Sequence, residues 1–355
     1  MTQAFPMRSV RRLAFSGIVT AALLGACGSA ASEAPARSDG RAPDSIPLMR
    51  GLNLAGGEFA PERAPGVVDR DYVYPTAEVA APFLKGGMDT VRFPVLWERI
   101  QPDPMSPLSD VEMKRIDASL DALKGFRAVI IDVHNYARYK GVRLDQDPSG
   151  AAKLADLWTR LANRYKARPD IVFGIMNEPY DIGAGDWRGI VDPVVAAIRN
   201  TGAKNLLLIS GTRWSGAHSW LAGGPDSNGA AFADFTDPGD HFLFELHQYL
   251  DTDSSGTKPT CVDAGLGADR LRDVTRWLRD RRVGAVLGEF GGGQGADCLA
   301  GLEAMLAYTD ANADVWRGWT YWAGGAWWGD YPLSIQPDAR GDKPQMRVLT
   351  KHLKR

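Results

Sequence analysis

Two glutamates in this 355-residue chain sit where side chains are better placed for chemistry than for packing. Glu178 closes the run Ile171-Val172-Phe173-Gly174-Ile175-Met176-Asn177-Glu178, and Glu289 closes Gly284-Ala285-Val286-Leu287-Gly288-Glu289. Short continuous apolar runs read as parallel strands buried on both faces. Pro179 lacks an amide hydrogen and ends the first ladder. A carboxylate at such a strand end belongs to the active face if the strands form a (β/α)8 barrel. The alternative is that Glu178 caps the next helix. Paired carboxyls are the minimum for glycoside hydrolysis, and a retaining mechanism needs them about 5–5.5 Å apart. One attacks the anomeric carbon; the other protonates the leaving oxygen and then activates water. Their pKa values must differ. An ionised Glu289 would raise that of Glu178 by like-charge repulsion, and a nearby Arg92 would keep Glu289 ionised.

The rest of the chain must supply a scaffold that gathers these ends. Candidate strands begin at Leu48, Met88, Arg127, Ile171, Asn205, Phe242, Gly284 and Gly318. Between them, helical spacing predicts helices over Glu78 to Lys85, Asp110 to Lys124, Ala151 to Lys166, Val191 to Asn200, Leu271 to Arg281 and Leu299 to Ala311, with a closing helix from about Gln345 to Leu353. Eight strands alternating with helices predict an α/β (β/α)8 TIM barrel over residues 48–355. A doubly wound sheet also alternates, but it would leave unexplained why polar residues recur at the strand ends: Arg92, His134, Glu178, His247 and Glu289; Asn53, in the first strand, is a candidate substrate contact. The absence of a G-x-G-x-x-G turn after the first strand argues against a dinucleotide fold.

Apolar content of 45% and charged content of 24% are ordinary for a globular chain, and a net charge of −2 gives no electrostatic case for nucleic acid. At the N-terminus, Arg8, Arg11 and Arg12 precede an apolar stretch from Leu13 to Leu24, the order of an export signal. Leu24-Gly25-Ala26-Cys27 is similar to a bacterial lipobox, which predicts cleavage after residues 1–26 and lipidation of Cys27; ordinary signal cleavage near Ala30 or Ala31 is the alternative. Residues 28–47, rich in Ala, Ser and Pro, read as a disordered tether. The expected location is the cell envelope, lipid-anchored at the outer membrane or in the periplasm, with free secretion as the alternative. Gly28 after Cys27, rather than Asp, favours the outer membrane. If Cys27 carries lipid, Cys261 and Cys298 remain as a pair, which in an oxidising compartment predicts a disulfide; two free thiols are the alternative. No metal-site spacing is present, so neither metal nor organic cofactor is expected.

Asn177-Glu178-Pro179 on the fourth strand and Glu289 on the seventh resemble the clan of retaining barrel glycosidases that includes glycoside hydrolase family five. The likeness covers about Gly51 to Trp328. The stretches Ile131 to Arg138, Phe173 to Pro179 and His247 to Asp253, with Ser255-Gly256-Thr257 following, are similar to the endo-β-1,4-glucanase (cellulase) branch. The resemblance implies that Glu178 is the acid/base, Glu289 the nucleophile, and Asn177 the partner of the sugar 2-hydroxyl. It implies that Arg92 and Tyr249 hold Glu289, that His134 and His247 line the site, and that Trp322 floors the −1 sugar. All eight positions carry the expected residue type.

Tryptophans divide by position. Trp158 and Trp277 fall inside helices and read as packing; Trp97 could serve either purpose. Trp214, Trp220, Trp327 and Trp328 follow strands five and eight, where aromatic faces could stack on pyranose rings, with loop packing as the alternative. The leading expectation is a monomeric, exported endo-β-1,4-glucanase acting on β-glucan. Two alternatives are the same machinery on another β-glycan (mannan, xyloglucan, mixed-linkage or β-1,3-glucan) and a glycan-binding lipoprotein without activity. With no stretch left for a separate binding module, soluble or amorphous glucan is the expected substrate form.

Overall fold

The structure, a computed structural model, describes residues 46–353. The signal sequence, Cys27 and residues 28–45 of the tether lie outside the described residues. Eight parallel strands close into a barrel: β1 (Met49–Leu54), β2 (Thr90–Val95), β3 (Ala128–Val133), β4 (Ile171–Gly174), β5 (Leu207–Ser210), β6 (Phe242–Tyr249), β7 (Ala285–Gly291) and β8 (Trp316–Gly324). Each pairs with its neighbours in chain order, and β8 pairs back onto β1. The expected (β/α)8 barrel is therefore the fold.

Alternation along each strand sorts side chains onto two faces. Val129 and Ile131 of β3, like Phe242 and Phe244 of β6, join the large core between strands and helices. Their neighbours Ala128, Ile130 and Leu243 join Val172, Leu208 and Val286 in a small separate apolar cluster that plugs the barrel floor. Both faces are buried, which is why the strands read as continuous apolar runs. Two residues further along the inward face, the register turns charged: Asp132 on β3 and Glu245 on β6, with Arg92 from β2 between them. Above this charged layer lies the mouth.

Six long helices surround the strands: α1 (Ala77–Lys85), α2 (Asp110–Ala122), α3 (Gly150–Tyr165), α4 (Ala184–Asn200), α5 (Leu266–Asp280) and α6 (Ala296–Ala311). Side chains of Thr76 and Ser109 cap α1 and α2. Leu154, Leu157, Trp158 and Leu161 of α3 share a buried face, as their spacing predicts. Helix α4 begins seven residues before the expected Val191, because Gly185 and Gly189 interrupt the sequence signal ahead of it without breaking the helix. Its N-cap is Gly183, so Glu178 is not a capping residue. The closing helix is shorter than expected, Met346–Leu349 followed by a 3-10 turn.

Between β5 and β6 the described helices are short: Asn228–Ala231 and two 3-10 turns. An aromatic cluster covers the barrel there. Trp220 meets Phe232, Phe244 and Trp277 at ring-centroid distances of 5.3–6.0 Å. Trp220 is fully buried, which corrects its placement at the mouth. Trp97 is also buried, against Tyr139. Cys261 and Cys298 are joined in a disulfide, linking the loop after β6 to the first turn of α6. None of the described helices is long and apolar enough to cross a membrane.

Candidate active site

Strand ends bring the two glutamates together. Glu289 lies on β7, where a register shift against β6 sets it opposite His247. Glu178 follows β4 with its backbone in the left-handed region, φ 41°. One oxygen of each carboxyl and one ring nitrogen of His247 lie within 4.8 Å of one another. His247 Nδ1 meets Glu178 Oε1 at 2.7 Å and stands 3.7 Å from Glu289 Oε2.

Every oxygen of Glu289 has a donor. Arg92 Nη1 donates to Oε1 at 2.8 Å, and the Tyr249 hydroxyl donates to Oε2 at 2.7 Å. Arg92 is buried and fully engaged: Nε reaches Glu245 at 2.6 Å, Nη2 reaches Asp132 at 3.1 Å and Asn177 Oδ1 at 2.7 Å, and Nη1 also reaches Asn53 at 2.9 Å. Because Arg92 occupies Asn177 Oδ1, the Asn177 amide must turn its NH2 away, where it meets His134 Nε2 at 3.1 Å. His134 Nδ1 is held by Asp132 at 2.7 Å, and its ring stacks on Trp322 with centroids 5.6 Å apart.

These surroundings separate the two carboxyls electrically. Burial and the charge of Glu289 raise the pKa of Glu178, although His247 opposes them. Burial works against ionisation of Glu289 too, but the charges of His247, Arg92 and His134 and the Tyr249 hydrogen bond outweigh it, so its pKa is lowered. His247 is pushed up to about 10: burial disfavours the imidazolium, but Glu289, Glu178 and Glu245 together prevail. The two carboxyls are therefore pushed apart, so that Glu178 holds its proton to higher pH than Glu289 does. Glu178, His247 and Glu289 are also the described side chains grouped closely enough for a metal ion, and Arg92 is bonded to Glu289 within that group.

A cleft of about 750 Å³ opens over the pair, lined among others by Tyr136, Trp214, His218 and Ser255. A second lobe of about 430 Å³ shares His134, Tyr136 and Trp322 with it and continues past Phe59 and Trp328. Of the sequence-expected residues, Arg92, His134, Asn177, Glu178, His247, Tyr249, Glu289 and Trp322 come together at the mouth. Trp214 lines the larger lobe, its ring stacked on Tyr180 at 5.1 Å, and the Arg138 guanidinium lies over the Tyr180 ring at 3.6 Å. Trp328 lines the smaller lobe, stacked on Tyr331. Trp327 is exposed on the same loop but lines neither lobe. Asn53 is fully buried beneath Arg92, its amide donating to the Gly288 and Thr320 carbonyls, so it holds the arginine rather than a sugar.

Sequence reasoning missed Asp132, Glu245 and Tyr136. The first two carried a signal: each is an acid two residues before a strand-end histidine, hence on the same face of its strand. Tyr136 sits with φ 54° and reaches His134 Nε2 at 3.2 Å.

Comparison with known proteins agrees with this geometry. The family model described as cellulase (glycosyl hydrolase family 5) matches residues 52–325. Endo-beta-1,4-glucanase B of Aspergillus niger is 34% identical over 317 residues, 89% of this chain and 93% of that one. The structure of XacCel5A in complex with cellopentaose superposes with a TM-score of 0.84 at 45% identity, covering 86% of this chain and 99% of the other. Pseudomonas stutzeri endoglucanase Cel5A in complex with cellobiose gives a TM-score of 0.80 at 33% identity, covering 89% and 96%. With that agreement running through both the barrel and the strand ends that form its mouth, the chain belongs to the cellulases of glycosyl hydrolase family 5.

Proposed function

We propose that this cellulase is an exported endo-β-1,4-glucanase that cleaves with retention through a covalent intermediate on Glu289. The observation that carries this reading is the separation of the two carboxyls. Their facing oxygens lie within 4.8 Å, in line with the spacing of about 5–5.5 Å of retaining enzymes and short of the roughly 6.5–9.5 Å that leaves room for an inverting water.

In the first step a Glu289 oxygen attacks the anomeric carbon while Glu178 gives its proton to the departing glycosidic oxygen. Forming the ester removes the charge of Glu289, so the pKa of Glu178 falls and its carboxylate can accept a proton from water. That water attacks the anomeric carbon, Glu289 leaves as carboxylate, and the second inversion restores the original configuration. Asn177 presents an NH2 whose orientation Arg92 fixes, suited to the sugar 2-hydroxyl. Trp322 offers a face against the sugar, and Trp214 and Trp328 extend the aromatic surface to either side. A two-lobed cleft open beyond the reacting centre suits attack inside a chain. Relatives named as endo-beta-1,4-glucanases and a similar structure holding cellopentaose support β-1,4-glucan as substrate.

Export, with lipidation at Cys27, rests on the signal-like N-terminus; the Cys261–Cys298 disulfide supports an oxidising compartment. Cys27→Ser should release the protein from the membrane fraction.

Reducing-sugar release should be measured on carboxymethyl-cellulose, mixed-linkage glucan, xyloglucan and galactomannan, with Glu178→Ala and Glu289→Ala beside the parent. We expect fast cleavage of the first two substrates and losses of at least about 10²–10⁴-fold in both variants. NMR of the first-formed product should show the β-anomer. Initial release of the α-anomer would overturn the retaining assignment, and preference for galactomannan would change the substrate while keeping the chemistry.

A further inference from the structure

Beneath the mouth, two strands repeat one arrangement. On β3, Asp132 backs His134; on β6, Glu245 backs His247. Arg92 sits between them and bonds both acids, at 3.1 and 2.6 Å. Each histidine then passes its other ring nitrogen upward to one of two consecutive residues. His134 Nε2 meets the Asn177 amide at 3.1 Å, and His247 Nδ1 meets the Glu178 carboxyl at 2.7 Å. The two branches differ in what they reach, since an amide does not titrate and a carboxyl does.

We propose that Glu245 is a positioning residue that holds His247 as the doubly protonated imidazolium against Glu178, and so decides which of the two gives up a proton first. Glu245 Oε1 lies 3.5 Å from His247 Nε2 and is buried with it. Space for this carboxylate is built into the neighbouring strand. A Cβ at Gly288 would stand 2.4 Å from Glu245 Oε1, so the residue just before Glu289 is one with no side chain. Other charges also face His247. Glu178 comes from the loop after β4, Glu289 from β7, and Arg92 lies behind Glu245. The loop after β5 pairs with His247 at Gly216 and brings Arg213 and His218 to the same cleft. Among the carboxylates, Glu245 is fully buried and lies on the side of the ring away from the substrate cleft, so it can hold the imidazolium throughout the cycle while Glu178 and Glu289 change state. The upward shift of His247 to about 10 agrees with this geometry.

Removing the charge makes His247 the better acid. Glu178 then keeps its proton to higher pH, which preserves the acid step and leaves a smaller fraction of it ionised to act as base in the second step. The inference rests on Glu178 being the acid/base, so the test separates the two claims. The His247 imidazole is followed by NMR titration in the parent, Glu245→Gln and Asp132→Asn, and kcat/KM is measured against pH in the same proteins. In the parent both ring nitrogens should be protonated at pH 7. In Glu245→Gln the His247 titration should fall by about 1–3 pH units, the effect of losing a neighbouring charge, and the alkaline limb of kcat/KM should move up. Asp132→Asn, whose branch ends on an amide, should leave the His247 titration in place. A parent His247 that titrates near 6.5 would overturn the proposal, whether or not Glu245→Gln folds. So would equal shifts in both variants, or no shift in Glu245→Gln. A His247 that shifts as expected in a protein whose Glu178→Ala variant keeps full turnover would instead overturn the assignment of Glu178.

Discussion

Tyr249 is held against Glu289 by a glycine seven residues further along the chain. Gly256 takes φ +68°, and a Cβ there would stand 2.5 Å from Cε1 of the Tyr249 ring. Its carbonyl in turn accepts from Tyr331 at 2.6 Å, so the loop after β6 is clamped between two tyrosines, one of which bonds Glu289. Gly256→Ala should therefore push Tyr249 away from Glu289. A hydrogen bond to a charged group contributes about 1.5–3 kcal/mol, which corresponds to roughly a 10- to 150-fold fall in kcat/KM. Tyr249→Phe should reproduce the fall and move the acid limb of the pH profile upward, because the hydrogen bond that favours the Glu289 carboxylate is gone. Unchanged kcat/KM in Gly256→Ala would show that the ring position does not depend on the glycine.

The separated pKa values fix the shape of that profile. Turnover needs Glu289 ionised, a condition lost as pH falls through its pKa, which lies below the ordinary 4.5. It also needs Glu178 protonated, a condition lost as pH rises through its pKa, which lies above 4.5. The kcat/KM profile on a soluble glucan should thus be a bell whose limbs fall on either side of that value. His247→Asn removes a positive charge close to both carboxyls, so both limbs should move to higher pH. Movement of the limbs in opposite directions would contradict the shared role of His247.

How much of this was legible in the sequence follows from periodicity. Strands buried on both faces announce themselves as apolar runs, and their polar ends mark the mouth, so the barrel and the residues around Glu178 and Glu289 could be read directly. Strand-end position alone does not tell a residue that faces the cleft from one that lies beneath it. Asn53 was a candidate contact like His134, yet Arg92 covers it. Asp132 and Glu245 went unread because a lone acid in an apolar run carries meaning only once its partner at i+2 is seen on the same face. Helix α4 was read short for a different reason: Gly185 and Gly189 weaken local preference, and tertiary burial of Trp187, Ile190 and Val191 overrides it.

The disulfide anchors the far end of a loop that carries part of the site. Cys261 and Cys298 are 37 residues apart in sequence, and between Tyr249 and Cys261 lie Asp253, Ser254 and Ser255 on the cleft wall and Gly256 against Tyr249. Replacing both cysteines by serine should destabilise the folded protein by about 4 kcal/mol through the freed loop. Thermal unfolding of the parent with and without a reductant should show the same difference. If the double variant unfolds at the parent's temperature, the crosslink adds nothing to the barrel.

Trp214 and Trp220 lie six residues apart on one loop, but the structure gives them opposite tasks. Trp214 is 52% exposed and stacked on Tyr180, whereas Trp220 is 0% exposed among Phe232, Phe244 and Trp277. Trp214 and its flanking residues Arg213 and Ser215 all take left-handed backbone angles, φ 52–57°, which few side chains adopt without being held there. That strain turns the indole toward the cleft, while the chain returns to the core in time to bury Trp220. Trp214→Ala should raise KM for a long glucan and leave the unfolding temperature nearly unchanged. Trp220→Ala opens a cavity where no long helix covers the barrel, and should cost about 3–5 kcal/mol of stability with KM close to that of the parent at temperatures where the variant is folded. Urea unfolding beside Michaelis kinetics on both variants distinguishes them. A KM effect in Trp220→Ala larger than in Trp214→Ala would reverse the assignment of platform and core.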